Sequence, residues 1–221
     1  MEMKKRSPCL MCFLLPVFLL SPASSQATTN SSSCSSVPTL LEHLSAQLKI
    51  VVECADTHAS QWRENDTATL LDSLRRATDV LQKHQKTVCL DAAPTQCPAP
   101  VVHSKGGLVC VTIKEARYCK PMCNKGYDFS FLRRSRLYET CSALTRYLWT
   151  TSYVGGNKLA VCNKSSIEIS GAETAYFPKD QDCLKTKSDH NLEQQIIQTF
   201  VSELKSNGID GNPEHECLIC G

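Results

Sequence analysis

Residues 97–127 read CPAPVVHSKGGLVCVTIKEARYCKPMCNKGY. Four cysteines, 97, 110, 119 and 123, fall within 27 positions of this stretch. Between them, residues 107–113 (GLVCVTI) form a short, β-branched, apolar run with glycine at its start. Such a run reads as a strand. Sixty-odd residues bury little apolar surface, so a β segment of this size is expected to rely on covalent staples. The prolines before it, in DAAPTQCPAP at 91–100, mark a boundary with what precedes.

On the N-terminal side the periodicity is helical. Leu40, Leu41, Leu44, Leu48, Val51 and Val52 recur every three to four residues and predict a helix over 38–55, with Pro38 in its first turn and Ser36 near its start. Leu70, Leu71, Leu74, Ala77, Val80 and Leu81 predict a second helix over about 66–86, capped by Asp66 or Thr67. A third stripe, Leu192, Ile196, Ile197, Phe200, Val201 and Leu204, predicts a helix over about 190–206, with Asp189 at its start and Asn207-Gly208 at its end. The simplest reading of all three stripes is packing. The fold class is therefore α+β: a small disulfide-rich all-β module flanked by amphipathic helices that pack as a small helical bundle.

The compartment is read from the first residues. Lys4, Lys5 and Arg6 precede an apolar run at 9–20 broken only by Pro16, and small residues follow from Pro22 to Ser25. This is the layout of a cleaved secretory signal, cut after Ser25 or Ala27. No other stretch is long and apolar enough to span a bilayer, and the C-terminus has no lipid-anchor tail. Of 14 cysteines, Cys9 and Cys12 leave with the signal, and the remaining twelve allow six disulfides. Sequons at Asn30, Asn65 and Asn163 are glycosylation acceptors that an exported chain would use. The expected organisation is a signal peptide at 1–25, a Ser/Thr-rich leader at 26–37, a helical segment at 38–92, the β module at 97–162, and a C-terminal segment at 163–221 with one helix and a terminal cysteine pair.

Charge is unevenly spread. Residues 97–162 carry ten Lys+Arg against three Asp+Glu, a net +7. Residues 26–96 have six against eight and residues 163–221 five against ten. The basic centre is the main electrostatic feature. Arg133, Arg134 and Arg136, with Lys125 and Arg146 near in sequence, are the candidates for a polyanion-binding face, since guanidinium forks match sulfate and carboxylate. The competing readings are an ordinary solvated loop and a dibasic processing site.

The central residues resemble a sushi, or complement control protein, module. Cys97-Pro98-Ala99-Pro100 opens the pattern. The Ser104-Lys105-Gly106-Gly107 turn, Cys123-Asn124-Lys125-Gly126-Tyr127, Cys141, Trp149 and Cys162 complete it. The resemblance implies Cys97–Cys141 and Cys123–Cys162 bridges, with Trp149 between them and Tyr127 beside it. Cys110 and Cys119 are extra to the pattern and suit a clip across a hairpin. Tyr147 stands where the family has Gly, the interval from Trp149 to Cys162 is long, and Pro is missing before Cys162. An EGF-like or unassigned arrangement of the same cysteines is the alternative. Sushi modules bind proteins or glycans through exposed strands.

Catalysis has no visible basis. There is no Gly-x-Ser-x-Gly, His-Glu-x-x-His or Gly-rich phosphate loop. The six histidines (43, 58, 84, 103, 190 and 215) are scattered, so no metal or cofactor is expected. Cys217-Leu218-Ile219-Cys220 has redox spacing but no βαβ frame, and reads as structural disulfides. Six cysteines (34, 54, 89, 183, 217 and 220) remain open to 15 pairings, with links from the N-terminal helices to the C-terminal segment favoured. The expectation is a secreted, non-enzymatic recognition protein whose partner is an extracellular protein or a glycosaminoglycan, with no nucleic acid and no membrane span. The alternative is a small helical signalling ligand in which the β module is a spacer.

Overall fold

The computed structural model describes residues 37–151 and 158–221. The expected signal peptide and leader, Ser36, Asn30, Cys34 and the Gly155-Gly156 turn lie outside the described residues. The chain divides into two units, residues 1–62 and 63–221. In the first, helix α1 (Val37–His58) extends the predicted helix at both ends and runs into a 3-10 turn at Ala59–Gln61. Leu40, Leu41, Leu44 and Val52 of its stripe are exposed, and Leu48 and Val51 are half-buried.

The second unit opens with α2 (Glu64–Thr87), which places Glu64 and Asp66 in its first turn and His84 and Lys86 in its last. This distribution complements the helix dipole. No residue of α2 is fully buried: Leu70, Leu74 and Ala77 of its stripe are half-buried, and Leu71, Val80 and Leu81 are exposed. Among the described residues eight strands follow in chain order with two further helices: β1 (Val101–Val102), β2 (Gly106–Ile113), β3 (Ala116–Cys123), β4 (Tyr127–Phe129), β5 (Glu139–Cys141), β6 (Lys158–Ala160), β7 (Cys162–Lys164), α3 (Cys183–Ser188), α4 (His190–Ser206) and β8 (His215–Cys220). A four-stranded antiparallel sheet in the order β5-β3-β2-β8 forms the centre. Two two-stranded ribbons flank it, β1 with β6 in parallel and β4 with β7 antiparallel.

Every residue of β2 is buried. A strand covered on both faces needs a continuous apolar run rather than alternation, which is what GLVCVTI supplies. Val109, Val111 and Ile113 meet Ile197, Phe200 and Leu204 of α4 on one face. Leu108 and Cys110 meet Trp149, Leu159 and Val102 on the other. The stripe of α4 is thus spent on the sheet and does not form the core of a helical bundle. Asp189 caps this helix by accepting from the N–H groups of Asn191 and Leu192, and Gly208, at φ 78°, follows its end.

Five disulfides hold the second unit. Cys97–Cys141, Cys123–Cys162 and Cys110–Cys119 are formed, the pairs the resemblance and the hairpin spacing gave. Cys89–Cys217 and Cys183–Cys220 close the C-terminal segment onto the rest. Cys54 is a free thiol among the described residues. Residues 163–221 are therefore not a separate segment: β8 is an edge strand of the same sheet. Trp149 packs with the Cys97–Cys141 and Cys110–Cys119 bridges, while Tyr127 belongs to a different cluster with Phe129, Cys123, Cys162 and Tyr176. The expected neighbourhood of Trp149 and Tyr127 is corrected accordingly. Two glycines start β2 because sulfur lies against each face: a Cβ at Gly107 would collide with Cys183 Sγ, and one at Gly106 would lie 2.8 Å from Cys162 Sγ.

Candidate functional site: a fixed cleft above a buried ion-pair cluster

The five basic residues expected to form an anion-binding face do not assemble into one. Arg133 is 3% exposed, and its Nη2 donates to Glu139 Oε1 at 2.9 Å. Arg136 Nη2 donates to Glu139 Oε2 at 2.7 Å, and Glu139 itself is fully buried on β5. The Arg133 guanidinium also lies 5.8 Å from the Phe129 ring centre and 5.6 Å from that of Phe131. Lys125 pairs with Glu168 at 2.7 Å. Arg134 and Arg146 are exposed but belong to separate loops. The physical reason for the correction is that a charge count ignores burial. Desolvation pushes the Arg133 guanidinium down from its ordinary pKa, and Glu139 opposes that shift. The acidic C-terminal segment folds back on the basic centre in the same way: Lys120, buried on β3, meets Glu203 of α4 at 2.6 Å.

A second polar cluster fixes the loop at 165–176. The Asp128 carboxylate accepts from Phe129 N (2.8 Å), Ile169 N (3.1 Å), Ser170 N (3.1 Å), Ser170 Oγ (2.9 Å) and Tyr176 OH (2.5 Å). Burial alone would raise its pKa, but these donors overcome burial and hold Asp128 below the usual carboxylate value. Burial and the bond to Asp128 push the Tyr176 phenol up to about 12. A depressed carboxylate contributes stability that is complete above the unfolded value of about 3.9 and lost as pH falls through the folded value. Asp128→Asn is expected to lower stability at pH 7 by about 2–4 kcal/mol, and the two proteins should converge toward pH 2. Urea midpoints measured from pH 2 to 7 check this, and a gap that stays constant with pH would refute it.

Beside these clusters the sheet end carries a cleft of about 550 Å³. Pro94, Thr95 and Gln96 form one wall, the β2–β3 hairpin tip with Ile113, Lys114 and Tyr118 a second, and Ser142, Leu144 and Tyr147 a third. Ile209 and Asp210, just past α4, close it. Each wall is tied to the frame. Thr112 Oγ1 donates to Ala93 O at 2.7 Å, and Trp149 Nε1 donates to Pro98 O at 2.8 Å. Cys97–Cys141 joins the first wall to β5. In the third wall, Tyr147 N donates to Ser142 O at 2.8 Å, and Ser142 N to Thr145 Oγ1 at 3.0 Å.

The backbone here is unusual. Among the described residues six non-glycine residues have φ in the left-handed region, and four of them line the cleft or its rim: Lys114 (50°), Glu115 (58°), Arg146 (55°) and Tyr147 (57°). Lys114 and Glu115 make the two-residue hairpin turn, where Asn-Gly would fit at lower cost. Arg146 and Tyr147 end the 3-10 turn at Ala143–Thr145. Each such residue costs on the order of 1–3 kcal/mol and persists where its surroundings over-determine it, often at ligand clamps. Leu144 stands at the rim and is 97% exposed. Sequence reasoning missed this cleft because its walls come from four separated stretches. The one local signal was a Lys-Glu pair between two strands.

The redox reading of Cys217 and Cys220 is answered by strand geometry. Three positions apart on β8, the two sulfurs fall on opposite faces and bond Cys89 and Cys183 respectively. Among the described residues no three His, Cys, Asp or Glu side chains gather as a metal site, and no helix is long and apolar enough to cross a membrane. Fold and site together define a disulfide-stapled α+β unit with a cleft at the hairpin end of its sheet. No family description, curated protein or solved structure matches the chain.

Proposed function

We propose that this chain is an exported, non-enzymatic recognition protein that holds a segment of another extracellular protein in the cleft at the hairpin end of its sheet. The observation that carries the reading is the cleft itself: about 550 Å³, walled by cross-linked elements, with strained backbone on two of its walls. Pre-ordered walls reduce the entropy lost on binding. The lining mixes tyrosine, proline and aliphatic surface with a few charged groups, which suits a peptide better than a polyanion. An acidic glycan is the weaker partner, because Glu139 takes up Arg133 and Arg136. The sushi-like reading of 97–162 is supported by its bridge order and buried Trp149, with β8 and α4 as additions to that pattern. Exposed Asn65 and Asn163 are compatible with glycosylation in an exported protein.

Peptide selection on the immobilised mature protein tests the proposal. Selected peptides should lose affinity at least about ten-fold, or 1.4 kcal/mol, when Leu144→Asp is introduced. Leu184→Asp, an equally drastic change at an exposed position on α3, should leave them unaffected. Peptides indifferent to Leu144→Asp, or retained better by heparin competition sites than by the cleft, would overturn the assignment.

A further inference from the structure

Arg117 on β3 is 3% exposed, yet no carboxylate of the described residues pairs with it. Burial pushes its guanidinium down from the ordinary arginine value, and no acid opposes that shift as Glu139 does for Arg133. A buried charge without a partner is costly. The one hydrogen bond of its side chain among the described residues runs from Nη2 to Cys217 Sγ, at 3.9 Å. A disulfide sulfur is a weak acceptor, so the closed bridge matches this cation poorly. A thiolate at Cys217 would match it.

Register explains how the two meet. Cys217 stands opposite Cys110 of β2, and Arg117 stands opposite Thr112 of the same strand. Opposed residues share a face of the sheet, so Arg117 and Cys217 flank β2 on the side that carries Cys110 and Thr112. Residues 89–97 form a strap over that side. Cys89 and Ala92 are buried, Thr112 Oγ1 donates to Ala93 O at 2.7 Å, and bridges at Cys89 and Cys97 pin the two ends. Pro94, Thr95 and Gln96 of this strap are a wall of the cleft. The strap continues from α2, which has no fully buried residue. Besides Cys89–Cys217, the Gln85 amide holds the end of that helix: in the orientation that satisfies both of its atoms it bridges Cys220 N (2.9 Å) and Cys220 O (2.8 Å). A helix end with so little burial opens locally at low cost. Among the described residues, no sulfur of the other four bridges has a cation within hydrogen-bond distance.

We propose that Cys89–Cys217 is a site of thiol–disulfide exchange, opened by a dithiol while the other four bridges stay closed, and that its opening frees the strap that walls the cleft. One thiolate of the dithiol bonds Cys89 Sγ as the bond to Cys217 breaks, and Cys217 leaves with the electron pair as a thiolate against Arg117. The second thiol of the dithiol then loses its proton and bonds the first. Cys89 leaves and takes up that proton. The dithiol is oxidised to its disulfide, and the bridge is reduced to one thiol and one thiolate. A neighbouring guanidinium lowers a thiol's pKa and makes it the faster leaving group. Loop length governs how much a bridge stabilises the fold, whereas the guanidinium acts on how fast this one exchanges. What the opening does to a bound ligand rests on the reading of the cleft given above; the exchange itself does not.

Limited reduction of the full chain with dithiothreitol tests this, with new thiols alkylated under denaturing conditions at successive times and mapped by peptide mass spectrometry. Cys89 and Cys217 should be alkylated at least ten-fold faster than any other bridged cysteine. Arg117→Met should slow their appearance at least ten-fold and leave the other eight bridged cysteines unchanged. Methionine keeps the length and removes an unpaired buried charge, so the urea midpoint should hold or rise. A variant that acted only by stiffening the fold would slow all five bridges together, and that result overturns the role of Arg117. Amide hydrogen exchange after selective opening should rise at 90–96 while β2 and β3 stay protected. A different bridge opening first, a rate indifferent to Arg117→Met, or an unchanged strap overturns the proposal. None of these readouts uses a ligand, so their failure is distinct from a failure of the peptide selection.

Discussion

Replacing Glu139 with alanine is expected to destabilise the second unit by about 3–5 kcal/mol, because it strands a buried guanidinium without its counter-charge. Glu139 sits fully buried on β5 and serves Arg133, Arg136 and the Thr150 hydroxyl at once. Arg133 is 3% exposed, with its guanidinium beside the Phe129 and Phe131 rings. Its pKa is already lowered by burial and supported by Glu139. The loss should appear as a shift in urea midpoint with an unchanged slope. A change below about 1 kcal/mol, the range of exposed pairs, would mean that the cluster is not closed to water. The same reasoning reinterprets the obvious test of a polyanion face. Removing Arg133 with Arg134 and Arg136 would weaken heparin retention by damaging the fold, so only Arg134 and Arg146 can be changed to probe surface charge.

The second large effect concerns the bridge between residues 128 positions apart, Cys89–Cys217. In the chain-entropy description, cutting a loop of that length costs about 5 kcal/mol, against about 2.6 kcal/mol for a nine-residue loop. The double variant Cys89→Ala with Cys217→Ala is therefore expected to lose roughly twice as much stability as Cys110→Ala with Cys119→Ala, whose bridge spans 9 positions of one hairpin. The larger loss should come with a fall in helical circular dichroism, since Cys89 anchors the end of α2. Equal losses from the two variants would show that local packing, and not loop closure, sets the contribution of each bridge.

Several elements were legible because their signal is local. The run at 107–113 announced a strand through β-branching and length, and that strand is buried on both faces. Helix α4 was legible through its stripe and both ends: Asp189 satisfies free N–H groups at the start, and Gly208 takes the positive φ at the finish. The cleft was not legible, since it is made from positions 93–96, 113–118, 142–147 and 208–210, which no periodicity connects.

The N-terminal stripes and the basic centre failed for a common reason. An amphipathic period states that a helix has an apolar face, but not what lies against it. For α4 that is the sheet, and for α2 nothing within its unit buries it fully. A net charge of +7 likewise states how many cations exist, not how many stay in water, and Arg133 and Lys120 do not. By itself the sequence determined the cysteine set, the central strand and the helix ends, because each depends on chemistry within a few residues. Only the tertiary structure decided that β8 returns beside β2. That return sends Cys217 and Cys220 to opposite faces and different partners, since side chains alternate along a strand and the choice of neighbour is made across the whole chain.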